Sequence, residues 1–393
     1  MNDKRGKYLL FAIDHPLPFA GGGAGQMALK LARALNLQNF PIRIVMPATD
    51  AKYILNKRSE DALTIPIPMP QHIPEPIFSL LYNWRLAVFL SRQRKKLTGI
   101  HLHGLRGIFT LVLMARILKL PFYVTVLSPH NWSNFYQTSP ANIYRRFIRN
   151  LLDPHIYVAL NKHMKKRMLS DGVKKDHIRL IPNGSDVPEH KLDRVCQRRE
   201  LGLPLDQFLV VYAGRLHPQK NILFLLRIWR IFIRQHNRSH LILLGDGPQA
   251  QIIKNYLIQH DLTRTIFLKG YVKRVTSFMQ AADIFVLPSK SEGCSNALLE
   301  AMAHGLTCLA SASSGNDELI CDGKNGYLLP FGQPDLWAQR LHALAVDPAQ
   351  REGLGREARQ TVAGHFSLDR CMQRHIQMYH DSMTSSIDER ASE

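Results

Sequence analysis

Acidic residues are scarce in this chain: 31 Asp and Glu stand against 51 Lys and Arg over 393 residues, a formal net charge of +20. Such an excess draws polyanions or an anionic membrane face and says nothing about fold. Paired cysteines are absent too. The five present, Cys196, Cys294, Cys308, Cys321 and Cys371, are odd in number and lack C-x-x-C spacing. Neither a disulfide framework nor a zinc ribbon is supported by that pattern, and a reducing compartment fits it best. Long apolar runs are missing. Ile77–Leu90 and Ile108–Leu118 are each interrupted by Arg and fall short of the roughly 20 residues that cross a bilayer. The opening Met1–Lys7 is basic, but the Tyr8–Ile13 run after it is too short for a signal peptide and reads as a first strand. A soluble or peripheral cytoplasmic protein is expected. The 24 Gly and 22 Pro have no period and 45% of residues are hydrophobic, so disorder and collagen-like repeats drop out.

What is present alternates. Short apolar runs and longer amphipathic segments succeed each other, the pattern of βα units and a parallel sheet. Strands are predicted at 8–13, 42–46, 100–103, 122–127, 156–160 and 178–181, then at 208–213, 240–244, 266–268, 283–287, 306–310 and 327–329. Helices are predicted at 24–37, 221–235, 248–260, 295–304 and 334–346, with 184–205 as the linker. The expected class is α/β, with two Rossmann-like doubly wound domains facing a cleft. Residues 1–190 hold an excess of 16 basic residues, against four beyond. Phe78, Trp84 and Phe89 within Ile77–Leu90 lie beside the basic run Arg92–Lys96. That combination suits an anionic membrane surface, and equally a helix packed on its own sheet with its cations solvated.

Chemistry should lie just after strands. Glu292-Gly-Cys-Ser-Asn-Ala-Leu-Leu-Glu300 follows one such strand. Glu300 can accept hydrogen bonds from two ribose hydroxyls, and Glu292 can hold hydroxyls of a transferred sugar. Amides near Ser295 and Asn296, at a helix start, can receive phosphate oxygens. A second strand leads into Gly214-Arg215 and, five residues on, Lys220. Two cations there can clamp a diphosphate and neutralise it as it leaves, although an isolated R-x4-K is also what a solvated turn looks like. Asn221 is a candidate helix cap.

These residues resemble the retaining glycosyltransferases of the GT-B fold known as family 4. The E-x7-E motif matches Glu292 and Glu300, G-R-x4-K matches Gly214, Arg215 and Lys220, I-P-N-G-x-D matches Ile181–Asp186, and L-G-D-G-P matches Leu244–Pro248. The resemblance implies an acceptor domain at 1–187, a nucleotide-sugar domain at 188–365, a helix at 366–385 returning to the first domain, and a polar tail at 386–393. That helix has apolar residues Leu368, Met372, Ile376 and Tyr379 at packing spacing. The resemblance also places Gly22 and Gly23, in a Gly-rich turn unlike the dinucleotide fingerprint, near the donor phosphates. Arg215, Lys220, Glu292 and His130 are the implied catalytic residues.

His130, in Ser128-Pro-His-Asn131, resembles the family's S-P-H-G element with Asn for Gly, and competes with His101 and His103 for a role. Asn161 stands where the family often has Ser. No D-x-D pair follows an appropriate strand, so no metal or other cofactor is expected; the nucleotide-sugar is a substrate. The implied reaction is transfer of a hexose-type sugar to a saccharide or lipid-linked acceptor in surface polysaccharide or lipopolysaccharide synthesis. A sugar-nucleotide epimerase or phosphorylase of the same fold remains an alternative. A nucleic-acid-binding role, prompted by the charge, lacks interleaved aromatics and any standard module.

Overall fold

The structure, a computed structural model, describes residues 6–13, 23–48, 63–70, 74–105, 107–128, 132, 155–189 and 193–391. The chain divides into two compact units, Met1–Pro182 with Leu368–Glu393, and Asn183–Ser367. Each is built on one parallel sheet.

In the first unit the strands are β1 (Tyr8–Ile13), β2 (Ile42–Ala48), β3 (Thr64–Pro68), β4 (Leu97–His103), β5 (Phe122–Val126), β6 (Ile156–Ala159) and β7 (Ile178–Leu180). Their order in the sheet is β3-β2-β1-β4-β5-β6-β7. β3 escapes the sequence reading because Thr64-Ile-Pro-Ile-Pro68 carries two prolines, which cannot donate to a ladder on both sides. It lies at the sheet edge and pairs with β2 alone. Helices α1 (Gly23–Leu37), α2 (Glu75–Gln93), α3 (Ile108–Ile117) and α4 (Lys162–Ser170) flank this sheet, and α12 (Leu368–Ala391) closes it. One face is covered by α2, α3 and α4 through Tyr82, Leu86, Leu111, Val112 and Met164. The other face takes Met27, Leu31 and Leu35 of α1 together with Met372 and Tyr379 of α12. Asn161 caps α4, its Oδ1 accepting from the Met164 amide at 2.6 Å, so it serves the helix start as Ser would.

The second unit holds β8 (Phe208–Ala213), β9 (Ser239–Leu244), β10 (Ile266–Gly270), β11 (Ile284–Leu287), β12 (Thr307–Ser311) and β13 (Tyr327–Leu329), ordered β10-β9-β8-β11-β12-β13. Its helices are α5 (Arg194–Glu200), α6 (Ile222–Gln235), α7 (Ala250–Gln259), α8 (Val275–Ala281), α9 (Asn296–Ala303), α10 (Pro334–Val346) and α11 (Pro348–His365). Both strand orders are those of doubly wound sheets, with the reversal beside β1 in one and beside β8 in the other.

The stretch expected to be a linker is largely not one. Within it, Asp193 caps α5 by accepting from the Val195 amide at 2.9 Å. The guanidinium of Arg198 is buried, donating to the Ala281 carbonyl at 2.9 Å and to Asp283 Oδ2 at 2.8 Å. Asp283 also accepts from Arg194 and from the Leu209 amide, each at 2.8 Å. One carboxylate at the root of β11 therefore anchors a helix that polar composition alone assigns to solvent.

Candidate functional site

Ligands of open parallel sheets bind beyond the strand carboxyl ends, where strand order reverses. In the second unit that point lies between β8 and β11, and the loops leaving them carry the motifs described above. β8 is buried along its length. The Gly214 amide donates to the Leu244 carbonyl, and the Leu216 amide to that of Asp246, both at 2.9 Å. The loop after β8 is thereby stitched to the L-G-D-G-P turn after β9. A Cβ on Gly245 would overlap the Gly214 carbonyl oxygen, so only glycine permits this approach.

Next comes a 3-10 turn, Pro218–Lys220, begun by His217, whose Nδ1 accepts from the Gln219 amide at 3.3 Å. Asn221 takes the expected cap position of α6 but makes no capping hydrogen bond. Its contribution is a left-handed backbone, φ 58°, which Asn tolerates better than most residues. The loop after β11 is zipped to this turn: the Lys290 amide donates to the Gln219 carbonyl, and Gln219 Nε2 to the Ser291 carbonyl, both at 2.8 Å.

The zipper sets Lys220 Nζ 2.5 Å from Glu292 Oε1. Glu292 is 7% exposed. Its amide donates to the Ser314 carbonyl at 3.3 Å. At Gly315, φ 93°, a Cβ would stand 2.7 Å from the carbonyl oxygens of both Glu292 and Gly293, so the loop after β12 presses directly on the Glu292 loop. Beneath the pair, Tyr212 donates to the Arg215 carbonyl at 3.3 Å. Burial, reinforced by the Glu292 charge, pushes its phenol well above the ordinary range. Arg215 is exposed and its guanidinium has no partner among the described residues. An ion pair and an exposed cation thus stand at one strand switch.

Ser295 caps α9, its hydroxyl accepting from the Leu298 amide at 3.4 Å. Asn183 Nδ2 donates to Asn296 Oδ1 at 2.7 Å and to the Cys294 carbonyl at 3.3 Å. Asn296 and half-buried Glu300 are four residues apart on α9, so they share one helix face. Sequence reasoning missed three supports of this site: Asn183, Gln219 and Gly315. Asn183 was visible in the I-P-N-G run; Gln219 and Gly315 carry no local signal, because their roles exist only between loops.

In the first unit Gly23 is the exposed first residue of α1, while Gly22 and His130 lie outside the described residues. The other two candidate histidines are structural in their contacts. His101 Nδ1 hydrogen-bonds Tyr379 Oη at 2.6 Å and its Nε2 bonds Thr125 Oγ1 at 2.8 Å. The His103 ring stacks on it at 4.3 Å, and His375 of α12 lies 5.9 Å away. Burial, aided by the His375 charge, pulls His103 down to about 3, and burial takes His375 to about 4. Burial also lowers His101 well below the ordinary range. All three imidazoles are neutral at pH 7. Among the described residues no group of three or more His, Cys, Asp or Glu is arranged to hold a metal ion.

Residues 193–361 match the family described as Glycosyl transferases group 1, and residues 21–188 match Glycosyltransferase Family 4. The chain belongs to the group 1 glycosyltransferases. This glycosyltransferase is 28% identical over 216 residues to the UDP-Gal:alpha-D-GlcNAc-diphosphoundecaprenol alpha-1,3-galactosyltransferase of Escherichia coli, covering 53% of this chain and 55% of that protein. The chain thus spans about half the length of that relative. It is 24% identical to the alpha-D-kanosaminyltransferase of Streptomyces kanamyceticus, over 77% of this chain and 83% of that one. Sucrose-phosphate synthase from Thermosynechococcus elongatus superposes with a TM-score of 0.80 at 19% identity, covering 96% of this chain and all of that one. Anabaena HepE, solved in complex with UDP-glucose, gives 0.77 at 18%, covering 96% and 99%. At such identities the likeness establishes the fold of this glycosyltransferase, which is GT-B.

Proposed function

We propose that the chain is a retaining hexosyltransferase that moves a sugar from a nucleotide-sugar, with the second unit holding the donor and the first unit taking a saccharide or lipid-linked saccharide acceptor. The observation that carries this reading is the Lys220–Glu292 pair at the β8/β11 switch, with exposed Arg215 on the same loop as Lys220. Arg215 meets the departing diphosphate with a planar fork, and Lys220 meets it with a point charge. Both act as negative charge builds on the leaving oxygen, which lowers the barrier without a metal. A diphosphate beside Lys220 competes with Glu292 for its ammonium, so donor binding frees the carboxylate to accept from hydroxyls of the sugar. Glu300 accepts from the ribose diol, and the capped start of α9 receives a phosphate oxygen.

Names of related proteins support a UDP-hexose and a lipid-linked acceptor: the E. coli relative is named for UDP-Gal and a diphosphoundecaprenol acceptor, and HepE was solved with UDP-glucose. Surface polysaccharide or lipopolysaccharide synthesis at the inner membrane face, by a peripheral cytoplasmic enzyme, fits such an acceptor. The test is a panel of UDP-, GDP- and ADP-sugars scored by thermal stabilisation and slow donor hydrolysis. One stabilising, slowly hydrolysed donor is the expected result. A donor recovered with its sugar epimerised, in the absence of acceptor, would instead establish the epimerase reading.

A further inference from the structure

We propose that the outer faces of α2 and α3 form a docking surface for an anionic lipid membrane. The two helices lie together on one face of the first sheet. Tyr82, Leu86 and Leu90 of α2 and Ile108, Leu111, Val112 and Ala115 of α3 enter the same core, and Asn83 of α2 abuts Gly107 at the start of α3. A helix that covers a sheet in water turns a polar stripe outward. These two do not. α2 exposes Ile77 (56%), Leu80 (75%) and Trp84 (63%), three and four residues apart on one face. α3 exposes Phe109 (39%), Leu113 (50%) and Ile117 (64%) at four-residue spacing, and Arg116 is its sole charged residue. Single exposed hydrophobics are ordinary; two neighbouring stripes of large ones mark an interaction surface.

Charge decides which partner fits. In a parallel sheet the helices run back toward the strand starts, so α2 and α3 both end at the edge where β4 and β5 begin. Exposed Arg92, Arg94, Lys95, Lys96, Arg116 and Lys119 gather there. From Pro76 through Leu152 the sequence contains no Asp or Glu. Apolar stripes ending in a cationic edge, with no carboxylate between, match an anionic headgroup layer over acyl chains, and Trp84 suits the boundary between them. A second copy would set the same cations against each other. The surface involves none of the donor-site residues, so the inference stands independently of the donor assignment.

The test is co-sedimentation of the full chain with phosphatidylglycerol-containing vesicles and with pure phosphatidylcholine vesicles at low salt. Wild type should pellet with the first and remain in solution with the second. At the energy of a basic residue near an anionic surface, Lys95→Glu with Lys96→Glu should lower partitioning at least thirtyfold. Leu80→Glu with Leu113→Glu should lower it at least tenfold, and both variants should keep the wild-type thermal unfolding midpoint. Equal binding to the two vesicle types, no binding to either, or variants that pellet like wild type would overturn the proposal. So would a wild-type dimer that Leu80→Glu with Leu113→Glu turns into a monomer without any lipid dependence.

Discussion

Lys220 and Arg215 share a loop and differ in attachment, and that difference separates what their removal does. Arg215 is exposed, so Arg215→Ala should leave the melting temperature unchanged while turnover falls about 100- to 1000-fold, the scale of losing one group that stabilises transition-state charge. Lys220 is bonded to buried Glu292. Lys220→Ala should lower turnover similarly and also lower stability, because a carboxylate loses its counterion. Steady-state rates and thermal unfolding of both variants check this; turnover within about threefold of wild type for both would remove them from catalysis. Glu300→Gln keeps size and loses charge-assisted acceptance, so nucleoside diphosphate affinity should fall about tenfold, as read by calorimetry. Unchanged affinity would dissociate Glu300 from the ribose. The sequence motifs named these residues singly, but the Lys220–Glu292 contact was not legible there. It depends on Gln219 bridging two loops whose residues are 72 positions apart.

Elements are held by buried polar contacts that apolar periodicity does not report. The contact of β4 with α12 is made by neutral His101, His103 and His375 with Tyr379. Their folded-state values are depressed, to about 3 for His103 and about 4 for His375, whereas in the unfolded chain they titrate near 6.5. The unfolded state therefore binds protons that the folded state refuses, and stability falls as pH drops below about 6.5 toward those values. The loss is about 1.4 kcal/mol per histidine per pH unit. Urea midpoints of the first unit, followed by buried Trp132, should decline between pH 7 and 5, and His375→Gln should flatten the slope. A midpoint constant over that range would contradict the buried cluster. Of the thirteen strands among the described residues, twelve were readable, since each is an apolar run between turn signals. β3 was hidden by its prolines. α5 was hidden because Arg194 and Arg198 look like linker charges until Asp283 receives them.

At the scale of the whole molecule the chain is nested: Asn183–Ser367 is continuous, while the other unit is assembled from Met1–Pro182 and Leu368–Glu393. Residues 1–367 alone should therefore show a cooperative unfolding transition for Trp229 and Trp337, which are buried in the continuous unit. The transition reported by Trp132 should weaken or vanish, because the sheet face that α12 covers is left open. Intact Trp132 unfolding in that fragment would show that α12 adds little. His101 and Tyr379 are 278 positions apart, so on a ribosome adding roughly 5–20 residues per second the partner of His101 arrives tens of seconds late. The portion synthesised first is thus the last to be finished. Throughout that interval a nascent chain displays Phe40 and Tyr123 without the Tyr379 ring that packs against both, and it is during translation, rather than in the completed enzyme, that this face has most need of a chaperone.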